Sequence, residues 1–465
     1  MTDRMQVNLR QTALEILLEA HKNEALLNVV LGEALAKYQY LDKNERSFIS
    51  RLVQGTEEKR IELDYIIDKF SKTPVKKQKP FISTLLEMSV YQLKYMDSVP
   101  ASAVCNEAVK LAVKKNFGTL KGFVNGVLRN ISRNLDSVEY PDREKDQRLY
   151  LSVRYSIPPE LLDCLLKSYD AGALESMFKA FEREKATYIR CNTSKLTADE
   201  LASHLGDEGV SVSRLEEYPQ LGYALRISGY DYLRRLKSFA EGEFQVQDLS
   251  SMLAGEGNII KETDEIIDVC AAPGGKSINA ALKAVRGHVE ARDISEKKIS
   301  MIEENIERLG LQNISCKVWD ASVRDEACIE KADVVIADLP CSGLGIIGRK
   351  PDIKYHITQE KIDGLAALQR NILATVWEYV KENGHLIYST CTITPQENQE
   401  NVKWFLENYP FELVGEPELL LPGGSSKSGE DGKACCDCDN SGDGFFIARM
   451  RRKPCGNGEI HESEG

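Results

Sequence analysis

The chain has 465 residues, which at roughly 100–200 residues per domain predicts two to four domains and excludes a peptide or a fibre. Hydrophobic residues at 42% and charged residues at 28% exclude wholesale disorder and a membrane bundle. With 60 Lys and Arg against 72 Asp and Glu, the net charge of −12 excludes a blanket polyanion binder, although residues 1–140 carry 21 basic against 17 acidic side chains. That local excess points to a nucleic-acid face in the first third.

No apolar run approaches the ~18 residues of a membrane-spanning helix, and the start MTDRMQVNLRQ lacks the apolar stretch of a secretory signal. A cytoplasmic location without membrane contact is expected. The 12 cysteines are scattered, which reads as reduced thiols available for chemistry rather than as a disulfide framework.

From Leu9 to Arg133 one amphipathic helical pattern follows another, with Leu27, Leu31, Ala34, Leu35 and Tyr38 at the spacing of a buried stripe. Asp42 with Glu45 suits an N-cap and its return partner, and Pro74, Pro80 and Pro100 fall where helices stop or restart. An all-α domain of five to seven helices is predicted over residues 1–140. Residues 141–240 shift through the Ser156–Pro159 break to helices and short strand-like pieces, TYIRCN and YALRIS, and read as a small α+β module.

Over residues 241–453 the apolar runs EIIDVC, GHVEARD, ISCKVWD, ADVVIAD and GHLIYST alternate with helical stretches, which predicts an α/β domain with a parallel sheet and crossover helices. A Gly-, Ser-, Asp- and Cys-rich loop over 422–444 precedes a last strand, FFIARM, and residues 454–465 read as a disordered tail.

The segment IIDVCAAPGGKS combines a buried strand, an Ala-Pro-Gly-Gly turn and a helix start, so Cys270, Ala271, Ala272, Pro273, Gly274, Gly275 and Lys276 form a candidate nucleotide-type cofactor loop. Its spacing is neither GxGxxG nor GxxxxGK[ST], which argues against a dehydrogenase or an NTPase. Asp293, Asp320 and Asp338 close the next three strands. An acidic rim at parallel strand ends repels phosphates but accepts ribose hydroxyls, an adenine amino group and a cationic sulfonium, a combination that describes S-adenosylmethionine. Each Asp alone could merely cap a helix; three in register behind a Gly-Gly turn point to the cofactor.

Cys341 follows the fourth strand in DLPC and Cys391 the fifth in STCT, so both thiols should emerge at one edge of the sheet. A single free cysteine is usually a small hydrophobe, but a pair beside a methyl donor suits covalent catalysis. Carbon 5 of a pyrimidine becomes nucleophilic only after a thiolate adds at C6. The DLPC sequence also lacks the D-P-P-[YF] pattern of amine methyltransferases, which favours base carbon over base nitrogen.

CAAPGGKS (270–277), DLPCSG (338–343), RKPDIKY (349–355) and STCTITPQENQENV (389–402) together resemble the RNA cytosine-C5 methyltransferases, with a Rossmann-like domain. RQTALEILLEA and NEAVKLAVKK…FGTLKGFVNGVLRNI resemble the NusB helical domain. The two-part arrangement, with YSIPPELLDCLL and IRCNTSK between, resembles the bacterial 16S ribosomal RNA cytosine-C5 methyltransferases of the Sun/Fmu type. The resemblance implies that Cys391 is the nucleophile, that Cys341 assists product release, and that the 270–276 backbone with Asp293, Asp320 and Asp338 holds S-adenosylmethionine. It also implies 16S ribosomal RNA as substrate, free or within a partly assembled small subunit, for a protein expected to be a monomer. Ser277, Lys350 and Tyr355 depart from the residues commonest in the family, Thr, His and Trp.

Weaker signals accompany these. Lys110, Lys114 and Lys121 are expected on one helical face, with Arg129 and Arg133 further on, as RNA phosphate contacts or as plain solvated surface. Cys435, Cys436 and Cys438 form a C-x-x-C without a second pair, and the six His residues form no ligand-spaced pair, so no metal is expected. Two alternatives to methylation of 16S ribosomal RNA stay open on the residues alone: methylation of a tRNA cytosine, and a non-catalytic RNA-binding or ribosome assembly factor.

Overall fold

The computed structural model describes residues 7–23, 26–423 and 443–454. Two compact units result, one of Met1–Phe178 with Arg349–Thr358 and the other of Lys179–Gly348 with Gln359–Gly465.

Among the described residues the first unit begins with seven α-helices, Leu9–Asn23, Leu27–Lys37, Lys43–Glu58, Arg60–Phe70, Pro80–Tyr95, Ala101–Lys114 and Lys121–Asn134, and continues through Gln147–Tyr155, Pro159–Leu165 and most of Ala171–Phe181. Asp42 and Glu45 form the expected capping box, and Pro80 occupies the first helical turn, where its missing N–H costs nothing. The Pro80–Tyr95 helix is the hub. Every residue from Thr84 to Gln92 is buried, polar Thr84, Glu87, Ser89 and Gln92 included, as the position of a central helix requires, and Leu14, Leu52, Leu63 and Leu128 pack into the same core. The predicted lysine face is corrected here: Lys110 and Lys114 end one helix, whereas Lys121 begins the next. Asn116 at φ 66 and a 3₁₀ turn at Gly118–Leu120 break the helix between them.

Residues 349–358 fold with this helical unit. Lys354, buried there, donates through Nζ to the Glu58 carbonyl at 2.7 Å, and the Tyr355 hydroxyl donates to the Glu57 carbonyl at 2.9 Å. The Arg60 guanidinium lies 3.6 Å from the Tyr355 ring centroid, a cation–π contact.

Among the described residues the second unit contains twelve strands: β1 Thr187–Cys191, β2 Ser211–Arg214, β3 Ala224–Ser228, β4 Phe244–Val246, β5 Glu265–Asp268, β6 His288–Asp293, β7 Ile314–Val318, β8 Ala332–Asp338, β9 Val380–Thr390, β10 Phe411–Leu413, β11 Glu418–Leu420 and β12 Phe445–Arg452. An antiparallel sheet has the order β2-β3-β1-β4. The larger sheet runs β10-β12-β9-β8-β5-β6-β7, with β11 on β12. Strands β7, β6, β5, β8 and β9 are parallel and β12 joins antiparallel, which makes the mixed, largely parallel sheet of a Rossmann-like domain.

Parallel strands buried on both faces need continuous apolar runs, and Val334, Val335, Leu386 and Ile387 supply them. Asp338 registers against Ser389, and Asp268 against Ile336, so the carboxyl ends of β5, β8 and β9 lie side by side. Loops leaving them share one edge, as expected at the switch point of such a sheet. No helix among the described residues is long and apolar enough to cross a membrane.

Candidate active site

The turn after β5 is held from both sides. Ala271 N–H donates to the Arg292 carbonyl at 2.7 Å, and Ala272 N–H donates to Asp293 Oδ2 at 3.2 Å, tying the loop to the end of β6. Gly274 adopts φ +97, a left-handed conformation that a side chain would strain, and a Cβ there would stand 3.0 Å from Ile302. The helix Gly275–Lys283 starts at once, leaving its first N–H groups free at the turn. Ser277 is buried and donates to Asp268 Oδ2 at 2.6 Å, so the shorter hydroxyl still anchors the helix to β5. Burial raises the Asp268 carboxyl to about 7.

A cavity of about 230 Å³ opens against this turn. Of the predicted residues it is lined by Cys270, Ala271, Ala272, Pro273, Gly275, Lys276, Asp338 and Cys391. Lys276 Nζ donates to Asp338 Oδ2 at 2.7 Å and to Ser251 Oγ at 2.8 Å, while Asp338 Oδ1 accepts from Ser389 Oγ at 2.7 Å. The backbone-rich turn, the acidic lining and the left-handed glycine fit a nucleoside cofactor carrying cations.

Asp293, Asp320, Gly274 and Cys341 lie outside that lining. Asp293 is buried at the end of β6, accepting from Ile294 N–H at 2.8 Å and pairing with Lys298 at 3.0 Å. Asp320 stands two residues past β7, where Oδ1 accepts the Ser322 hydroxyl and N–H at 2.7 and 2.9 Å. Those two hydrogen bonds hold its carboxyl below the ordinary range.

The two thiols meet. Cys341 Sγ and Cys391 Sγ are 3.1 Å apart, and Cys391 N–H points at Cys341 Sγ at 3.3 Å. The hydrogen bond with Cys391, together with burial, pushes the Cys341 thiol well above its ordinary range.

Glu397, fully buried, clamps the loops that carry them. It accepts from Ser342 N–H at 2.8 Å, from Ser342 Oγ and Thr394 Oγ at 2.6 Å each, and from Gln369 Nε2 at 3.1 Å. Gln369 donates also to the Pro340 carbonyl at 2.8 Å, and Asn398 ties Thr390 to the Thr392 carbonyl.

Sequence reasoning missed Glu397, Gln369 and Asn398, along with the lining residues Gln247, Asp248, Ser250, Ser251, Ile346, Asp443 and Phe445. The polar run QDLSS just before a glycine-loop strand was the available signal for the cavity wall. Among the described residues no group of three or more His, Cys, Asp or Glu is arranged to hold a metal. Cys435, Cys436 and Cys438 lie outside the described residues.

On the helical unit Lys110 pairs with Glu107 at 2.7 Å and Lys114 Nζ donates to Gln11 at 2.7 Å. Lys121, Arg129 and Arg133 are exposed.

Comparison with known proteins agrees with this geometry. The profile of the NusB family matches residues 7–133, and that of the 16S rRNA methyltransferase RsmB/F matches residues 259–451. The chain is 34% identical over 456 residues to the probable ribosomal RNA small subunit methyltransferase B of Bacillus subtilis (strain 168), covering 96% of this chain and 99% of that one. A protein of the same printed name from Synechocystis sp. is 31% identical, over 96% of this chain and 100% of its own. Among solved structures, a methyltransferase homolog protein from Pyrococcus horikoshii is 26% identical with a TM-score of 0.54, over 66% of this chain and 99% of that one. The crystal structure of PH0851 shares the fold, with a TM-score of 0.77 at 22% identity over 96% of this chain and 100% of that one. The larger sheet is therefore that of an S-adenosylmethionine-dependent methyltransferase, S-adenosylmethionine is its cofactor, and the chain belongs to the 16S rRNA methyltransferase RsmB/F family, with a NusB-type helical domain at its N-terminal end.

Proposed function

We propose that the protein methylates carbon 5 of a cytosine in 16S ribosomal RNA, with Cys391 as the attacking thiol and Cys341 as the group that helps clear the product. The observation that carries this reading is the pair of sulfurs 3.1 Å apart at the ends of adjacent parallel strands, with Cys391 on the lining of the cofactor cavity. An amine methyltransferase needs no such pair. The names of the relatives supply the choice of ribosomal over transfer RNA.

Bound S-adenosylmethionine supplies a methyl group on a sulfonium, an electrophile that the weakly nucleophilic C5 cannot attack unaided. In the proposed site the Gly274–Gly275 turn, with the free N–H groups of the helix behind it, cradles the nucleoside part, and Asp293 accepts from the ribose. Cys391 adds through sulfur to C6 of the target base and places electron density on C5. The attacking form is the thiolate. Cys341, whose thiol is held well above its ordinary range and so keeps its proton at neutral pH, can direct its S–H at the Cys391 sulfur 3.1 Å away. After transfer the C5 proton passes to solvent water, the C5–H electron pair forms the C5–C6 double bond, and the C6–S bond breaks to leave Cys391 as a thiolate, which the S–H of Cys341 can stabilise from 3.1 Å away. Lys276, anchored by Asp338 and Ser251, borders the same space and fixes the wall against which the base lies.

Bisulfite sequencing of 16S ribosomal RNA and tRNA from cells with and without the protein tests the substrate. Loss of one protected cytosine in the ribosomal RNA is expected. Loss confined to tRNA would transfer the activity to that substrate.

A further inference from the structure

Arg190, on β1 of the smaller sheet, is fully buried, and its guanidinium reaches the cofactor turn. Nη1 donates to the Gly275 carbonyl at 2.7 Å and to Gln247 Oε1, while Nε and Nη2 have no hydrogen-bond partner. Burial lowers the Arg190 pKa to about 10, and among the described residues no carboxylate forms an ion pair with it. A buried cation facing no anion is costly, and such a cost is met where a ligand supplies the anion.

The guanidinium has donors only, so it settles how the Gln247 carboxamide is turned. Oε1 must face Arg190, and Nε2 is left on the opposite side, buried and without a partner. Gln247 lines the cofactor cavity and lies over the glycine turn, where a Cβ built on Gly275 would stand 3.6 Å from Nε2. Beside it Asp248, Asp268, Asp338 and Asp443 make the lining acidic, and Lys276 is bound to Asp338. This lining suits the sulfonium and the ammonium of S-adenosylmethionine. It opposes the one anion of that molecule, its carboxylate.

We propose that Gln247 is the contact for the cofactor's carboxylate, donating through Nε2, and that Arg190 is the positioning residue that orients the amide and polarises it. The inference rests on the reading that S-adenosylmethionine occupies this cavity, and it assigns a role to two residues from β1 and the segment just after β4. No bond is made or broken in this step. The smaller sheet thereby contributes to cofactor selection as well as packing against the catalytic domain.

Calorimetric titration of the full chain with S-adenosylmethionine and with its decarboxylated form, which differs only in the carboxylate, tests the assignment. Wild-type protein should prefer the carboxylate-bearing ligand by tenfold or more, the range expected for one charge-assisted hydrogen bond. Gln247→Glu, which gives Arg190 an ion pair and presents negative charge to the cavity, should erase that preference while holding the decarboxylated ligand within about twofold or more tightly. Arg190→Met should weaken S-adenosylmethionine about tenfold and leave the decarboxylated ligand unchanged, with Arg190→Lys retaining part of the preference. Equal weakening of both ligands in the folded variants, or an undiminished preference, would overturn the assignment. A wild-type protein that binds neither ligand would overturn the cofactor reading of the cavity, and this inference with it.

Discussion

Ser342 and Glu397, 55 residues apart in the chain, are joined by two hydrogen bonds, backbone N–H to Oε1 at 2.8 Å and hydroxyl to Oε2 at 2.6 Å. Ser342 follows Cys341, and Glu397 closes the loop that begins at Cys391. One buried carboxylate therefore sets the separation of the two sulfurs.

Glu397→Ala should unpair the Ser342 N–H and the Thr394 hydroxyl, each worth about 1–3 kcal/mol when left buried without a partner. Misplacement of a reacting group by an ångström can cost about a hundredfold in rate. The expected signature is a fall in kcat of ten- to a hundredfold with cofactor affinity unchanged, because Glu397 hydrogen-bonds Ser342, Thr394 and Gln369 in the loops around the two thiols and nothing in the cofactor turn. Steady-state kinetics paired with cofactor titration reads both, and a wild-type kcat in a folded variant would make the clamp dispensable.

Asp293→Ala should weaken S-adenosylmethionine by roughly ten- to a hundredfold, the value of a charge-assisted hydrogen bond of about 1.5–3 kcal/mol. Part of the loss comes through the turn, since Asp293 also accepts from Ala272 N–H. Asp293→Asn retains an acceptor for that N–H and should fall between. Unchanged affinity in folded Asp293→Ala protein would remove this residue from the site.

The helical unit carries a pH-sensitive element in its core. Burial raises the Asp64 carboxyl to about 7, with Arg60 opposing the rise and Asp68 adding to it, and the same environment, with Asp64 beside it, raises Glu87. The folded value stands above the unfolded one of about 3.9, so the folded state holds the proton more tightly. Its contribution to stability is complete below pH 4 and is lost as the pH rises to about 7. A tenfold difference in proton affinity between the two states corresponds to about 1.4 kcal/mol. Chemical denaturation of Asp64→Asn and wild type from pH 4 to 8 should show the variant gaining relative stability towards pH 7. A constant difference across that range would mean that Asp64 is ionised in the fold.

The sequence exposed the parts of this protein whose signal is local. Apolar runs marked β5, β6, β8 and β9, and the residues ending them located the glycine turn and both thiols. Strands β2 and β4 escaped because SVSR and FQV are too short and too polar for a periodicity to show. Arg190, Gln247 and Glu397 work through partners 57, 85 or 55 residues away, and nothing in IRCN, FQVQD or PQEN distinguishes a buried clamp from a solvated polar residue. The grouping of residues 349–358 with the helical unit depends on contacts such as Lys354 with Glu58, which span 296 residues. The lysine face failed for a conformational reason, since a single left-handed Asn116 divides the helix.

The division of labour between Cys391 and Cys341 is the centre of the account, and a denaturing gel with labelled RNA and cofactor tests it most directly. Cys391→Ala should give no methyl transfer and no protein–RNA band, because without addition at C6 no electron density reaches C5. Cys341→Ala should methylate once and stall, leaving a band of protein joined to RNA through Cys391. A band with Cys391→Ala and none with Cys341→Ala would reverse the two roles, and full turnover in both variants would contradict covalent catalysis altogether.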